Sequence, residues 1–187
     1  MPQAQTLTEN QLRRVLQYCR SRRHPARDQT IVLFSFYAGL RASELAALKY
    51  ADVFDCERRP RSQFILSTSQ SKGGRARTVY LNQRLRKALA DYAQHKHSKP
   101  HQPLFSSQKG GHFSANTMCQ LFLDIYKAVG LNNASSHSGR RTFITRLATA
   151  GVGVRVLAEL AGHSHISTTQ RYIDVNSDQL TAAVELL

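Results

Sequence analysis

Residues 135–143 read Ser-Ser-His-Ser-Gly-Arg-Arg-Thr-Phe, and residues 162–172 read Gly-His-Ser-His-Ile-Ser-Thr-Thr-Gln-Arg-Tyr. Between them the apolar residues recur at helical spacing. The stretch gathers three polar side chains able to face one phosphate (His137, Arg140 and His163) and a tyrosine, Tyr172, able to attack it. Singly, each has a plainer reading. Tyr172 can pack against a helix, His163 after Gly162 can be a helix-end cation, and Arg140 beside Arg141 can be a basic surface pair. Their occurrence in one stretch places it at the centre of the chain, with everything upstream expected to build a cradle that delivers the phosphate.

Around that centre the pattern predicts helices over Thr142–Ala150, with Phe143, Leu147 and Ala148 on one side, and over Val154–Ala161, with Val156, Leu157 and Leu160 inward. Gly151 and Gly162 end them. Ser167 is expected to cap a short helix carrying Tyr172, and Asp174–Leu187 to form an amphipathic segment with Leu180, Val184 and Leu187 on one face. Further upstream, Thr8 and Gln11 make a capping-box signature before Leu12, Val15, Leu16 and Cys19, with Pro25 closing that segment. Residues 28–38 are apolar on nearly all sides and read as a buried central element; Ile31, Val32, Phe34 and Phe36 allow a strand, but the length and the stop at Gly39 favour a helix. Ser43 or a neighbour caps a short helix through Leu48. Arg41, at the intervening turn, is either an ion pair with Glu44 or a phosphate ligand.

Residues 62–67 and 77–81 are β-prone, and Val53–Phe54 is a candidate third strand. Ser71-Lys72-Gly73-Gly74-Arg75 makes a basic hairpin tip, able to carry an ammonium over a bound ligand or simply to be a solvated turn. Asn82 caps a helix with Leu85, Leu89 and Tyr92 inward. Ser114 caps another with Met118, Leu121, Phe122, Ile125 and Val129 inward, before Gly130. The fold class expected is mainly α with a small antiparallel sheet.

With 26 Lys and Arg against 12 Asp and Glu, the chain of 187 residues carries a net charge of +14. The excess recurs along the chain, and such a charge expects a polyanion, DNA or RNA first; a cationic solvated surface is the bland alternative. The three cysteines fit no metal or paired-disulfide pattern and read as reduced thiols of a cytoplasmic protein. The histidines of 95–101 lack a supporting carboxylate or cysteine, so no metal and no cofactor is expected. No apolar run approaches the length of a membrane span.

Gly39-Leu40-Arg41-Ala42-Ser43-Glu44-Leu45, Ser71-Lys72-Gly73-Gly74, His137-Ser138-Gly139-Arg140 and Leu160-Ala161-Gly162-His163-Ser164, with Tyr172 following, occur in that order. Together they resemble the catalytic domain of the tyrosine recombinases, the phage integrase family, over essentially the whole chain. The resemblance implies a site-specific recombinase that cuts and rejoins DNA strands without metal or ATP. Arg41 and Arg140 would clamp the non-bridging oxygens of the scissile phosphate. Lys72 would protonate the leaving 5′ oxygen, His137 would assist proton transfer at the tyrosine, and His163 would hydrogen-bond the phosphate. Tyr172 would be the nucleophile, forming a 3′-phosphotyrosyl link. Glu44 would orient Arg41 or His137, Arg141 would support the site, and Arg75, Arg77 and Lys109 would bind DNA. The chemistry agrees on its own terms. Arginines give planar forks that stay charged and match phosphate oxygens, and one preorganised donor to developing charge is worth about 3–4 kcal/mol.

Two departures stand out. Gly139 and Arg141 occupy positions where the family commonly has leucine and histidine. Little chain precedes Arg41, so residues 1–187 are expected to form one catalytic domain without the N-terminal DNA-gripping domain, either as a minimal recombinase or as a shortened part of a longer one. The partners expected are double-stranded DNA, further copies of the chain (a tetramer on DNA) and an accessory directionality factor. Segment 176–187 would dock either on a neighbouring protomer or on its own core. A type IB topoisomerase-like relaxing enzyme and a non-catalytic DNA-binding regulator of the same fold are the alternatives.

Overall fold

The computed structural model describes residues 4–71, 74–96, 98–108, 110–172 and 184–185. Helix α1 (Glu9–Arg20) starts at a closed capping box: Thr8 Oγ1 accepts the Gln11 N–H at 3.2 Å, and Gln11 Oε1 accepts the Thr8 N–H at 2.9 Å. Its inner residues Leu12, Val15 and Cys19 are buried. Helix α2 (Pro25–Ala38) begins earlier than the apolar run at 28–38 suggests. Pro25, expected to close the preceding segment, opens this helix instead, because its fixed φ and missing N–H suit the first helical position. Asp28 fixes the junction by accepting from Arg22 Nε at 2.7 Å and Arg27 Nε at 2.9 Å. Ile31, Val32, Phe34, Phe36 and Ala38 are all buried, so α2 is the central helix its composition predicts. It packs against α1 and two later helices, α5 (Gln83–His95) and α7 (Ser138–Thr149).

Gly39, at φ 64°, ends α2 and turns the chain into α3 (Ala42–Ala47), whose N-cap falls on Arg41. The expected third strand is replaced by a helical turn, α4 (Tyr50–Val53), and Phe54 makes one bridge to Pro60. Stacking of the Tyr50 and Phe54 rings, centroids 4.4 Å apart, buries both side chains in this helical arrangement. Strands β1 (Gln63–Leu66) and β2 (Arg77–Tyr80) pair antiparallel, with Phe64 opposite Val79 and Leu66 opposite Arg77 on the buried face. Asn82 caps α5 through the Leu85 N–H at 2.9 Å, and Leu85, Leu89 and Tyr92 turn inward. Ser114 caps α6 (Ala115–Ala128), which packs on α3.

Helix α7 starts at Ser138, ahead of the expected Thr142. Its first turn therefore crosses α2 closely: a Cβ on Gly139 would stand 2.9 Å from the Ser35 carbonyl carbon. The buried side is Ser138, Gly139, Arg140, Thr142 and Ile144, whereas the expected face of Phe143, Leu147 and Ala148 is half-buried. Helix α8 (Val154–Ala161) buries Leu157, Ala158 and Ala161, but Val156, expected inward, is 54% exposed. Helix α9 (Ile166–Gln170) has His165 rather than Ser167 at its N-cap. Tyr172 lies just beyond it, with its N–H bonded to Thr169 O at 2.9 Å. Of the expected C-terminal amphipathic segment, only Val184 and Glu185 are among the described residues, and no described helix is long and apolar enough to cross a membrane.

Candidate active site

The turn after α2, the start of α7 and the turn after α8 converge on one guanidinium. Arg140, on the first turn of α7, is 3% exposed. Its Nη1 donates to Gly39 O at 2.7 Å, and its Nη2 donates to Ala161 O at 2.6 Å and to His163 Nε2 at 2.8 Å. Arg140 thus ties the turn that carries Arg41 to the turn that carries His163. Burial, then the neighbouring Arg41, push its guanidinium down to about 9, still charged at neutral pH. The cations crowd one another there, and an anion is the group that would relieve them.

The protonation of His163 follows from its partners. A guanidinium has no lone pair to offer, so His163 Nε2 accepts, and the ring proton is assigned to Nδ1, which donates to Thr169 Oγ1 at 2.9 Å. Burial, then Arg140 and Arg41, push the imidazole down to about 4, so it is neutral at pH 7. The Tyr172 ring stacks on the His163 ring, centroids 5.9 Å apart and planes at 19°. The Arg141 guanidinium carbon lies 6.0 Å from the Tyr172 ring centroid. One continuous chain of contacts therefore runs from Arg140 through His163 to Tyr172.

Beside it, Glu44 is fully buried and gathers two arginines. Arg41 Nη1 donates to Glu44 Oε1 at 2.8 Å, and the Arg41 backbone N–H donates to Oε2 at 2.9 Å. Arg77 reaches both carboxylate oxygens, Nη1 to Oε1 at 2.9 Å and Nη2 to Oε2 at 2.8 Å. Burial alone would raise the Glu44 carboxyl, but Arg77 and then Arg41 outweigh it and hold it at about 2.

The remaining candidates divide. His137 is exposed at the N-cap of α7, one turn ahead of Arg140, with Nδ1 3.5 Å from Ser136 Oγ. Lys72 and Lys109 lie outside the described residues. Arg75 is exposed, and with Ser71 it lines a small cleft of about 60 Å³ shared with Gly162, His163 and Ser164, which brings the base of the hairpin to the site. Arg77, expected as a DNA contact, is corrected by its burial at 6% exposure: it is turned inward onto Glu44 and is not on the surface. Two cavities of about 480 and 500 Å³ are lined by none of Arg41, His137, Arg140, His163 or Tyr172. Thr169, which holds the His163 ring, is fully buried and was not singled out from the sequence, where a threonine beside another threonine carries no distinguishing pattern.

The sequence and the fold around this site are similar to those of known proteins. The sequence matches the phage integrase family over residues 5–179, and the chain belongs to that family. It is 31% identical over 185 residues to tyrosine recombinase XerA of Pyrococcus horikoshii, covering 96% of this chain and 60% of that protein. It is 33% identical over 191 residues to tyrosine recombinase XerC of Erythrobacter litoralis, covering 98% of this chain and 59% of that protein. The chain thus spans about 60% of the length of these curated relatives. A crystal structure of XerA recombinase superposes with a TM-score of 0.76 at 26% identity, covering 100% of this chain and 63% of that one. The Tn1549 transposon integrase, solved with a circular intermediate DNA, shares the fold at a TM-score of 0.79 and 23% identity, covering 100% of this chain and 67% of that one.

Proposed function

We propose that the protein is a site-specific DNA recombinase that breaks and rejoins strands through a 3′-phosphotyrosyl intermediate at Tyr172. The observation that carries this is the unbroken contact from Arg140 to His163 to Tyr172, with Arg41 next to it on Glu44. Family membership and the recombinase relatives support it. Arg41 and Arg140 hold the two non-bridging oxygens of the scissile phosphate. The Tyr172 oxygen forms a bond to phosphorus as the bond to the 5′ oxygen breaks. His137 assists removal of the tyrosine proton, and Lys72 gives a proton to the departing 5′ oxygen. Reversal, with another strand's 5′ hydroxyl attacking the phosphotyrosine, rejoins the DNA, so the bond energy is conserved. His163 must turn donor to bond a phosphate oxygen. The added negative charge raises the depressed imidazole toward the protonated form that can do so.

On the same reading residues 1–187 make up one catalytic domain acting in the cytoplasm on double-stranded DNA as a homotetramer with an accessory directionality factor, and Arg75 and Lys109 contact the duplex. Segment 176–187, with the apolar spacing of Leu180, Val184 and Leu187, docks on a neighbouring protomer or on its own core. The test is covalent trapping. Nicked duplexes drawn from DNA flanking the gene are incubated with wild type and with Tyr172→Phe, then run on a denaturing gel. A protein–DNA adduct absent from the variant is the expected result. DNA binding with no adduct from wild type would instead point to a non-catalytic regulator.

A further inference from the structure

Arg77 stands in β2, the strand that leaves the basic hairpin, with its side chain directed into the protein. Both of its terminal nitrogens lie on the Glu44 carboxylate, the fork geometry that suits arginine and carboxylate best. Its stem lies against Gly162: a Cβ built there would stand 2.5 Å from Arg77 Cδ and 2.8 Å from Nε. Arg77 therefore meets three segments at once. It reaches Arg41 through the shared carboxylate, it packs on the turn that presents His163, and its own strand descends from the hairpin that bears Lys72.

We propose that Arg77 is a positioning residue for the phosphoryl transfer: it occupies Glu44, so that Arg41 is left to face the phosphate, and it fixes the hairpin base against the His163 turn. The proposal rests on the recombinase reading above.

The charges explain why a second arginine is needed. A buried carboxylate left with Arg41 alone would bind it with both oxygens and neutralise the cation meant for substrate. Here the more buried arginine takes both oxygens, its side chain 4% exposed against 18% for Arg41, and Arg41 gives Glu44 one terminal nitrogen. Three guanidiniums, Arg41, Arg77 and Arg140, then face one carboxylate, leaving an excess of two positive charges. A phosphodiester with one negative charge gains a second as it becomes pentacoordinate, so that excess matches the transition state better than the ground state. A salt bridge that served only folding would need no such surplus.

The groups facing Glu44 are Arg41 at the start of α3, Arg77 from β2, Arg140 from α7 and His163 after α8, with Tyr172 beyond. The experiment compares wild type with Arg77→Met, Arg77→Lys and the double variant Arg77→Met/Glu44→Gln. In the free protein, carbon-13 detection follows the Glu44 carboxyl through a pH titration. On nicked duplexes from DNA flanking the gene, single-turnover adduct formation is followed against pH. Arg77→Met is expected to raise the Glu44 titration by about one unit or more. It is also expected to slow adduct formation about 100-fold at neutral pH, with the rate recovering as the pH falls through the raised Glu44 titration, since the protonated carboxyl no longer neutralises Arg41. Removing the buried carboxylate as well should restore at least about tenfold over Arg77→Met, a coupling that additive damage does not give. Arg77→Lys should fall between. Should Arg77→Met fail to fold, Arg77→Lys and the charge-free double variant carry the same comparison. Rates that fall only with the folded fraction, no recovery of Arg77→Met as the pH falls through the Glu44 titration or no recovery in the double variant would overturn the proposal while wild-type adduct leaves the recombinase reading intact. No wild-type adduct on any duplex takes down both.

Discussion

Helices α1–α6 and helices α7–α9 are held in different ways. The first group shares one contiguous apolar core running from Leu7 to Ala134, with Phe34, Phe105, Phe122 and Tyr126 buried in it. The second group contributes few buried apolar side chains, Ile144, Leu157, Ala158 and Ala161, and they lie outside that core. Apart from the close α2–α7 crossing at Gly139, it is joined by polar contacts: Arg140 to Gly39 O and Ala161 O, Thr142 Oγ1 to the Leu7 N–H at 2.7 Å, and an Arg146–Glu9 ion pair. Apolar burial is insensitive to pH and to anions, whereas buried charge responds to both. The half that carries Arg140, His163 and Tyr172 is therefore the half whose stability depends on what is bound and on which groups are protonated.

Changes on the two sides of that divide should separate cleanly. The largest effect is expected from Phe122→Ala, which empties a fully buried position of the apolar core. It should cost about 3–5 kcal/mol in chemical denaturation, and the molecules that remain folded should keep the wild-type rate of adduct formation. Gly139→Ala comes next. Its Cβ meets Ser35 at the α2–α7 crossing, so it should cost about 1–3 kcal/mol and also lower the rate, because Arg140 is the next residue. A core with equal grip on both halves would give two variants with the same ratio of stability to rate.

The smallest effect is expected from acid. His163 falls from its ordinary 6.5 to about 4, because burial and then Arg140 disfavour the imidazolium. Protonation then favours the unfolded chain, so the stability this group lends is whole above pH 6.5 and is lost as pH falls toward 4. Glu44, held at about 2 against its ordinary 4.5, adds a second loss between pH 4.5 and 2. Melting temperature followed against pH should show the upper step in wild type and not in His163→Gln. Saturating inorganic phosphate should reduce that step if the anion seats between Arg140 and His163; a step unchanged by both would place the pH response in another part of the molecule.

Much of the scaffold was legible in the sequence because local chemistry sets it. Thr8, Asn82 and Ser114 can satisfy helix-end N–H groups wherever they stand, and they cap α1, α5 and α6. Gly39 takes the left-handed turn that other residues avoid. The periodicity of Leu85, Leu89 and Tyr92 names a buried face without naming what covers it. The same limit explains the errors. Pro25 is compatible with ending one segment or beginning the next, and the Asp28 bridge to Arg22 settles it. Val156 has the same apolar character as Leu157, and only the placement of α8 beside α7 and β2 leaves one outside and the other in.

The site divides along the same line. The residues proposed for it, Arg41, Lys72, His137, Arg140, His163 and Tyr172, were legible as types and in their order along the chain, because their motifs resemble those of a known family and suit a phosphate. That Arg77 turns inward to Glu44, that Arg140 bonds two carbonyls from segments far apart in the chain, and that Arg140 sets the tautomer of His163 were decided by the tertiary structure. A charged side chain carries no mark in one dimension of whether it meets water or a buried partner. That choice belongs to the free energy of desolvation and pairing, which exists only once distant segments have packed.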